Sequence, residues 1–240
     1  MKKKFNTKVI HSGHGSDKET GAVMPPIHLS STFKQIEPGN FEYEYARTKN
    51  PSRDVLEKLL AQIESGDKAF AFASGMSAIN TVCDLFGTNY HIVCSDDVYG
   101  GTRRLFDKVK TNIDVTYIDF DKNINWNDEI KENTKFIWIE TPSNPLMKII
   151  DIKNTVSIAS EFKLPVICDN TFASPFNQRP LELGADMVVS SSTKYLGGHS
   201  DIVGGSIVVK ENKEYAEKIS YIQNAVGAVP SPFDCYLLTR

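Results

Sequence analysis

Short apolar stretches rich in β-branched and aromatic residues alternate along this chain with segments that carry a helical apolar stripe. "AFAFAS" (69–74), "HIVCSD" (91–96), "DVTYIDF" (114–120), "TKFIWIET" (134–141), "PVICDN" (165–170), "MVVSSS" (187–192) and "SIVVK" (206–210) read as strands. Between them, "GMSAINTVCDLF", "GTRRLFDKVK" and "DIKNTVSIASEF" read as helices. Upstream, "SRDVLEKLLAQIE" puts Val55, Leu56, Leu59, Leu60 and Ile63 on one face, with Ser52 the expected N-cap. Strands too short to be buried alone, separated by helices, predict an α/β domain: a mostly parallel sheet covered by helices on both faces. Residues 1 to about 50 lack such periodicity, and "MPPIHLSSTFKQ" reads as an extended arm. The expected division is therefore an arm over 1–50 and one large domain over 51–240.

Open parallel sheets bind ligands beyond the carboxyl ends of their strands. This sequence places its polar residues there. Ser74, Gly75 and Met76 follow one strand, and Asp96 to Gly101, including Tyr99, follow the next. Thr141 to Pro145, with Asn144, follow a third; Asp169, Asn170 and Thr171 a fourth; and Ser191, Ser192, Thr193 and Lys194 a fifth. The rest of the chain excludes the commoner occupants. No G-x-G-x-x-G or G-x-x-x-x-G-K-[ST] grip is present, and no G-x-S-x-G elbow. The four cysteines, Cys83, Cys94, Cys168 and Cys235, and the five histidines show no metal-ligand spacing, so no metal is expected and the thiols read as reduced, buried groups. A net charge of −3 with interspersed signs leaves no basic stripe for nucleic acid. "MKKKF" runs into polar sequence, unlike a signal peptide, and no run approaches a membrane span; a cytoplasmic protein without membrane partners is expected.

An anion grip remains. Ser74, Gly75 and Met76 open a helix whose amides and dipole suit a phosphate, and Ser191 and Thr193 offer hydroxyls to it. Lys194 stands beside them; pushed into a low-dielectric site, a lysine amine becomes available for Schiff-base chemistry. Asp169 ends a buried strand, where a lone carboxylate is costly unless a cation meets it. Phosphate grip, lysine and an acid for a ring nitrogen are together what pyridoxal 5'-phosphate requires, and Tyr99 is placed to stack on such a ring. Each feature has a plainer reading: turn chemistry for the serines, a solvated charge for Lys194, a cap for Asp169, a core position for Tyr99. Their arrival on one rim favours the cofactor.

"YARTKNPSRDVLE", "AFASGMSAI", "SDDVYGGTRRLF", "WIETPSNPLMKIIDI", "DNTFASPFNQRPLELGAD" and "SSSTKYLGGHSDIVGG" occur here in that order. From about Phe5 to Arg240 the chain resembles the Cys/Met-metabolism branch of fold-type I pyridoxal-phosphate enzymes, which holds cystathionine γ-lyase, cystathionine γ-synthase and methionine γ-lyase. The resemblance implies that Lys194 binds the cofactor covalently, that Asp169 partners the pyridine nitrogen and that Tyr99 stacks and assists proton transfer. It also implies that Gly75, Met76, Ser191 and Thr193 grip the phosphate and that Asn144 lies near the ring hydroxyl. Tyr45 and Arg47 match the pair that reaches the phosphate of a neighbouring subunit, which implies a homodimeric unit and a dimer of dimers. The implied activity is γ-elimination on a sulfur amino acid, a small-molecule substrate: cystathionine to cysteine, 2-oxobutanoate and ammonia. "VPSPFDCYLLTR" and "STFKQ" look more like cystathionine γ-lyase than γ-synthase, and Gly101 stands where methionine γ-lyases carry cysteine. The alternatives are γ-replacement on an O-acylated homoserine and a non-catalytic protein that keeps the scaffold. Family members continue into a smaller carboxyl-terminal domain bearing the arginine for the substrate carboxylate, so this sequence, ending at Arg240, is expected to be a fragment or to lack that domain.

Overall fold

The structure, a computed structural model, describes residues 4–210 and 213–240. Its centre is one seven-stranded sheet: β1 (Lys68–Phe72), β2 (Tyr90–Ser95), β3 (Ile113–Ile118), β4 (Thr134–Glu140), β5 (Val166–Asp169), β6 (Met187–Ser190) and β7 (Gly205–Val209). The spatial order is β1-β7-β6-β5-β4-β2-β3. Pairs among β6, β5, β4, β2 and β3 are parallel, whereas β7 runs antiparallel to both β1 and β6. The mostly parallel sheet expected from the sequence is thus present, with one reversed strand near an edge.

The helices are α1 (Phe5–His11), α2 (Pro51–Ile63), α3 (Gly75–Asp84), α4 (Gly100–Arg104), α5 (Trp126–Glu129), α6 (Ile152–Glu161), α7 (Ser174–Asn177), α8 (Lys213–Val226) and α9 (Pro232–Thr239). The period of two along each strand divides the core between two faces. Phe70, Phe72, Ile92, Cys94, Phe136, Trp138, Met187 and Val189 pack on one side with Ala78, Ile79 and Val82 of α3 and Ile219 of α8. On the other side Ala69, Ala71, Val188 and Val208 meet Leu56, Leu59, Leu60 and Ile63 of α2 and Cys235 of α9. Val93, Ile137, Ile139 and Cys168 meet Ile152 and Ala159 of α6 there as well. Residues such as Phe136 and Ile137 are wholly buried on opposite faces, which is why the strands read as unbroken apolar runs.

Three local expectations are corrected. The N-cap of α2 is Asn50, whose side chain accepts from the amides of Ser52 (2.9 Å) and Arg53 (3.3 Å), with Pro51 fixing the first helical φ. Ser52 instead accepts from the His28 amide at 3.0 Å and so ties down the arm. The arm is not extended throughout, since it opens with α1; residues 12–50 carry only isolated bridges, Thr32 with Tyr45 and Glu37 with Asn40. "GTRRLFDKVK" is an α-helical turn that widens into a π-helical one over Leu105–Val109.

Candidate active site

The chain leaves β2 for β3 on one side and returns to β4 on the other, which makes a topological switch point between β2 and β4. A cavity of about 320 Å³ opens beside it, within the ~300–1,000 Å³ range of ligand pockets. Its walls come from all five strand ends singled out above. Gly75, Met76, Tyr99, Asn144, Asp169, Ser191, Thr193 and Lys194 line it. Tyr45 and Arg47 do not: they lie exposed on the arm, where Arg47 rests over the Tyr45 ring (5.3 Å) and donates to the carbonyl and side-chain oxygens of Asn224.

The phosphate end follows from how α3 starts. Ser74 and Ser77 form a capping box: the Ser74 hydroxyl accepts from the Ser77 amide and the Ser77 hydroxyl from the Ser74 amide, both at 3.0 Å. The Ala78 amide donates to the Ser74 carbonyl at 3.2 Å. Two of the four orphan amides of the helix are thereby used, leaving those of Gly75 and Met76 open to an anion. Gly205 makes this approach possible, because a β-carbon there would lie 2.2 Å from the Ser74 carbonyl oxygen. The serine run behaves less uniformly than the sequence predicts. Ser190 and Ser192 are buried with unpartnered hydroxyls, and the Thr193 hydroxyl is engaged with the Gly204 backbone, accepting from its amide at 3.0 Å.

The opposite end is acidic. Asp169 is 5% exposed, and its Oδ1 accepts from the Thr171 hydroxyl (2.6 Å) and amide (3.0 Å). The Ser191 amide donates in turn to the Thr171 hydroxyl at 2.8 Å, linking the ends of β5 and β6. Burial raises the Asp169 carboxyl above the ordinary range, against the pull of Thr171. Glu140, which sequence reasoning left inside its strand, lines the same cavity and accepts the Tyr99 amide at 2.8 Å. Burial, then the neighbouring Asp169 charge, pushes Glu140 up to about 8. Its signal was available: it ends a buried strand as a lone acid, the argument applied to Asp169. Ile79, Phe172 and Val203 complete the missed wall, and Thr171 lies where the rim argument put it.

Lys194 is the main departure. It lines the cavity, but its residue is exposed, so this chain does not supply the low-dielectric surround the sequence reading assumed for it. Tyr99 is likewise 48% exposed, and its ring is confined from behind: a β-carbon on Gly101 would lie 2.4 Å from its Cε1.

The sheet order and the rim define an open α/β protein with a ligand cavity at its switch point. The chain belongs to the Cys/Met-metabolism PLP-dependent enzyme family, whose profile matches residues 6–240. It is 46% identical to the cystathionine beta-lyase of Coxiella burnetii, over 100% of this chain and 63% of that protein. It is 48% identical to a probable cystathionine gamma-synthase of Herpetosiphon aurantiacus, over 98% of this chain and 75% of that one. The crystal structure of cystathionine gamma-lyase from Lactobacillus plantarum, complexed with L-serine, superimposes with a TM-score of 0.95 at 46% identity, covering 99% of this chain and 63% of that chain. The chain thus spans less than two thirds of the Coxiella protein's length. The residues present suit the cofactor of the family: open amides for a phosphate, a buried carboxylate that no cation of the described residues meets, and an amine on the same cavity wall.

Proposed function

We propose that this chain forms the cofactor-binding part of an enzyme that uses pyridoxal 5'-phosphate to cleave a sulfur group from Cγ of cystathionine, giving cysteine, 2-oxobutanoate and ammonia. The observation that carries the reading is the meeting of Lys194, Asp169, Tyr99 and the open α3 amides in one cavity. When bound, the cofactor supplies an electron sink for the carbanion formed at the substrate's Cα. Gly75 and Met76 would offer their amides to its phosphate, with the Ser191 and Thr193 hydroxyls beside them. Asn144 would serve the ring hydroxyl, and Tyr99 would stack on the ring. The Asp169 carboxylate would hold a proton at the ring nitrogen. Lys194 would hold the cofactor covalently through Nζ and act as the base for the substrate's Cα proton, with Tyr99 assisting that transfer.

Residues 51–240 are read as the cofactor-binding large domain and 1–50 as an arm whose Tyr45 and Arg47 serve the phosphate in a neighbouring copy. This makes the protein a homodimer, paired again into a dimer of dimers, acting on a small amino acid in the cytoplasm. Four buried free thiols support that compartment, and no helix among the described residues is long and apolar enough to cross a membrane. A second reading, γ-replacement on an O-acylated homoserine, is favoured by the name of the Herpetosiphon relative.

The first test is the visible absorption of the protein with added pyridoxal 5'-phosphate, followed by borohydride reduction and peptide mapping. A yellow band trapped on Lys194 is expected; label scattered over surface lysines would sink the reading. Product analysis then sorts the substrates. Cystathionine split at Cγ releases 2-oxobutanoate and cysteine, whereas splitting at Cβ releases pyruvate and homocysteine, and product that depends on an O-acylated homoserine marks the synthase.

A further inference from the structure

Glu140 and Asp169 end adjacent parallel strands and are direct register partners. Both carboxyl groups face one cavity, and both residues are 5% exposed. Each has one side satisfied by the protein: Glu140 holds the Tyr99 amide, and Asp169 holds Thr171. No cation of the described residues offsets either charge. The other groups around them do not help. Asp97, on the loop after β2, adds negative charge, and the thiols of Cys94 on β2 and Cys168 on β5 are wholly buried and held neutral by that burial. The remaining titratable groups on the wall are Tyr99 and Lys194. Two carboxylates this close and this dry cannot both stay ionised, so the pair retains a proton.

We propose that Glu140 is a positioning residue for the ring end of the pocket: it fixes the backbone of Tyr99 and keeps, jointly with Asp169, one proton that passes to a pyridine nitrogen settling there. The inference rests on the cofactor reading above. The transfer balances: one carboxylic O–H bond breaks, one pyridinium N–H bond forms, and two carboxylates face one cation with no proton drawn from solvent. The site thus brings its own acid, and the ring is charged as it is bound.

The experiment is calorimetric titration of the protein with pyridoxal 5'-phosphate in buffers of different ionisation enthalpy, which counts the protons exchanged. Glu140→Gln keeps an oxygen for the Tyr99 amide but removes the acid. It is expected to take up about one proton more than the unaltered protein near pH 7, where the pair of the unaltered protein still holds its proton. The unaltered protein gives a second reading that needs no variant: N-methylated pyridoxal phosphate brings a permanent ring charge and no site for the proton, so its binding near pH 7 should release about one proton. Equal counts for variant and unaltered protein, or no proton released on binding the N-methylated ligand, would place the proton elsewhere and overturn the inference alone. Failure of the unaltered protein to bind pyridoxal phosphate would overturn this inference and the cofactor reading together.

Discussion

The rim of the sheet and the amino-terminal arm hold their candidate site residues by opposite physical means. At the rim, Asp169, Glu140, Thr171 and Ser191 are held by short hydrogen bonds across neighbouring strand ends, with apolar layers above and below. Their geometry is fixed before any ligand arrives. On the arm, the Tyr45 and Arg47 side chains are exposed, with the guanidinium of Arg47 resting over the Tyr45 ring and donating to Asn224. Burial builds the first half; on the reading proposed above, the second half serves a surface of a neighbouring copy. The lesson is that one chain preorganises its acids internally, while the proposed reading leaves part of the anion grip to an assembly.

The strongest way to break that comparison is to remove one residue from each half. Lys194→Ala should abolish the covalent absorption band and cut turnover at least about a thousandfold, because positioned proton transfer alone contributes ~10²–10⁴. Arg47→Ala should weaken pyridoxal-phosphate binding about 10- to 100-fold, the loss of a charge-assisted hydrogen bond of ~1.5–3 kcal/mol. Dissociating, mixing and reassociating the two variants, at a cofactor concentration too low to load Arg47→Ala, sharpens the point. If Arg47 acts in the neighbouring copy, half the dimers are mixed and each has one intact site, so about a quarter of the activity returns. No recovery would place Arg47 in its own chain's site.

The two halves also differed in how plainly the sequence announced them. Each strand that builds the rim ends in an abrupt change from buried apolar residues to polar ones, as Val189 gives way to Ser190 and Ile167 to Cys168 and Asp169. That change is a physical signature, and it placed eight of the expected residues on one cavity wall. Glu140 was passed over because it continues an apolar strand by a single residue, and Val203 because an apolar residue in a glycine-rich turn has no period to betray it. The reversed direction of β7 was not legible either: "SIVVK" reads the same in both senses, and direction is set by the loop from Thr193 to Gly204. Tyr45 and Arg47 have no local signature at all. They were reached only through resemblance, since an exposed residue serving another surface leaves no mark on burial or periodicity. Lys194 was legible in position but not in surround, because desolvation depends on what closes over the rim.

A gentler change tests how firmly the rim holds its mobile member. A β-carbon at position 101 would lie 2.4 Å from Cε1 of Tyr99 and 2.9 Å from Sδ of Met76. The methionine can yield, but Tyr99 is half exposed and free to swing away, so Gly101→Ala should displace its ring from the stacking position. Stacking is worth ~0.5–1.5 kcal/mol, so the expected cost is about a 2- to 10-fold rise in the cofactor's Kd, with the fold unchanged by circular dichroism. A crystal structure of the variant with the ring unmoved would show that the rim is stiffer than its exposure implies.

The smallest effect on binding, and the cleanest contrast between the two halves, concerns acids that no proposed step uses. Glu64, at the end of α2, is 1% exposed, and neither carboxyl oxygen meets a hydrogen-bond donor. Burial pushes it up to about 8, outweighing the nearby Asn170 amide and Arg179 guanidinium. A raised folded-state value means that between about pH 4.5 and 8 the native protein keeps a proton that the unfolded chain has released. Its stabilising contribution is therefore complete below about pH 4.5 and is lost as the pH rises through about 8, a change on the order of a few kcal/mol. Asp17 on the arm has the opposite sign: hydrogen bonds from Thr20 lower its carboxyl, so whatever it contributes is present above its ordinary value of 3.8 and is lost only in stronger acid. Glu64→Gln should accordingly flatten the fall in thermal stability between pH 5 and 8 and leave cofactor affinity within about twofold. Asp17→Asn should leave that slope as it was. Unfolding midpoints of the three proteins across the range decide it. Equal slopes in all three would mean that the packed half of the molecule hydrates Glu64 on the way to unfolding and is less rigid than its burial implies.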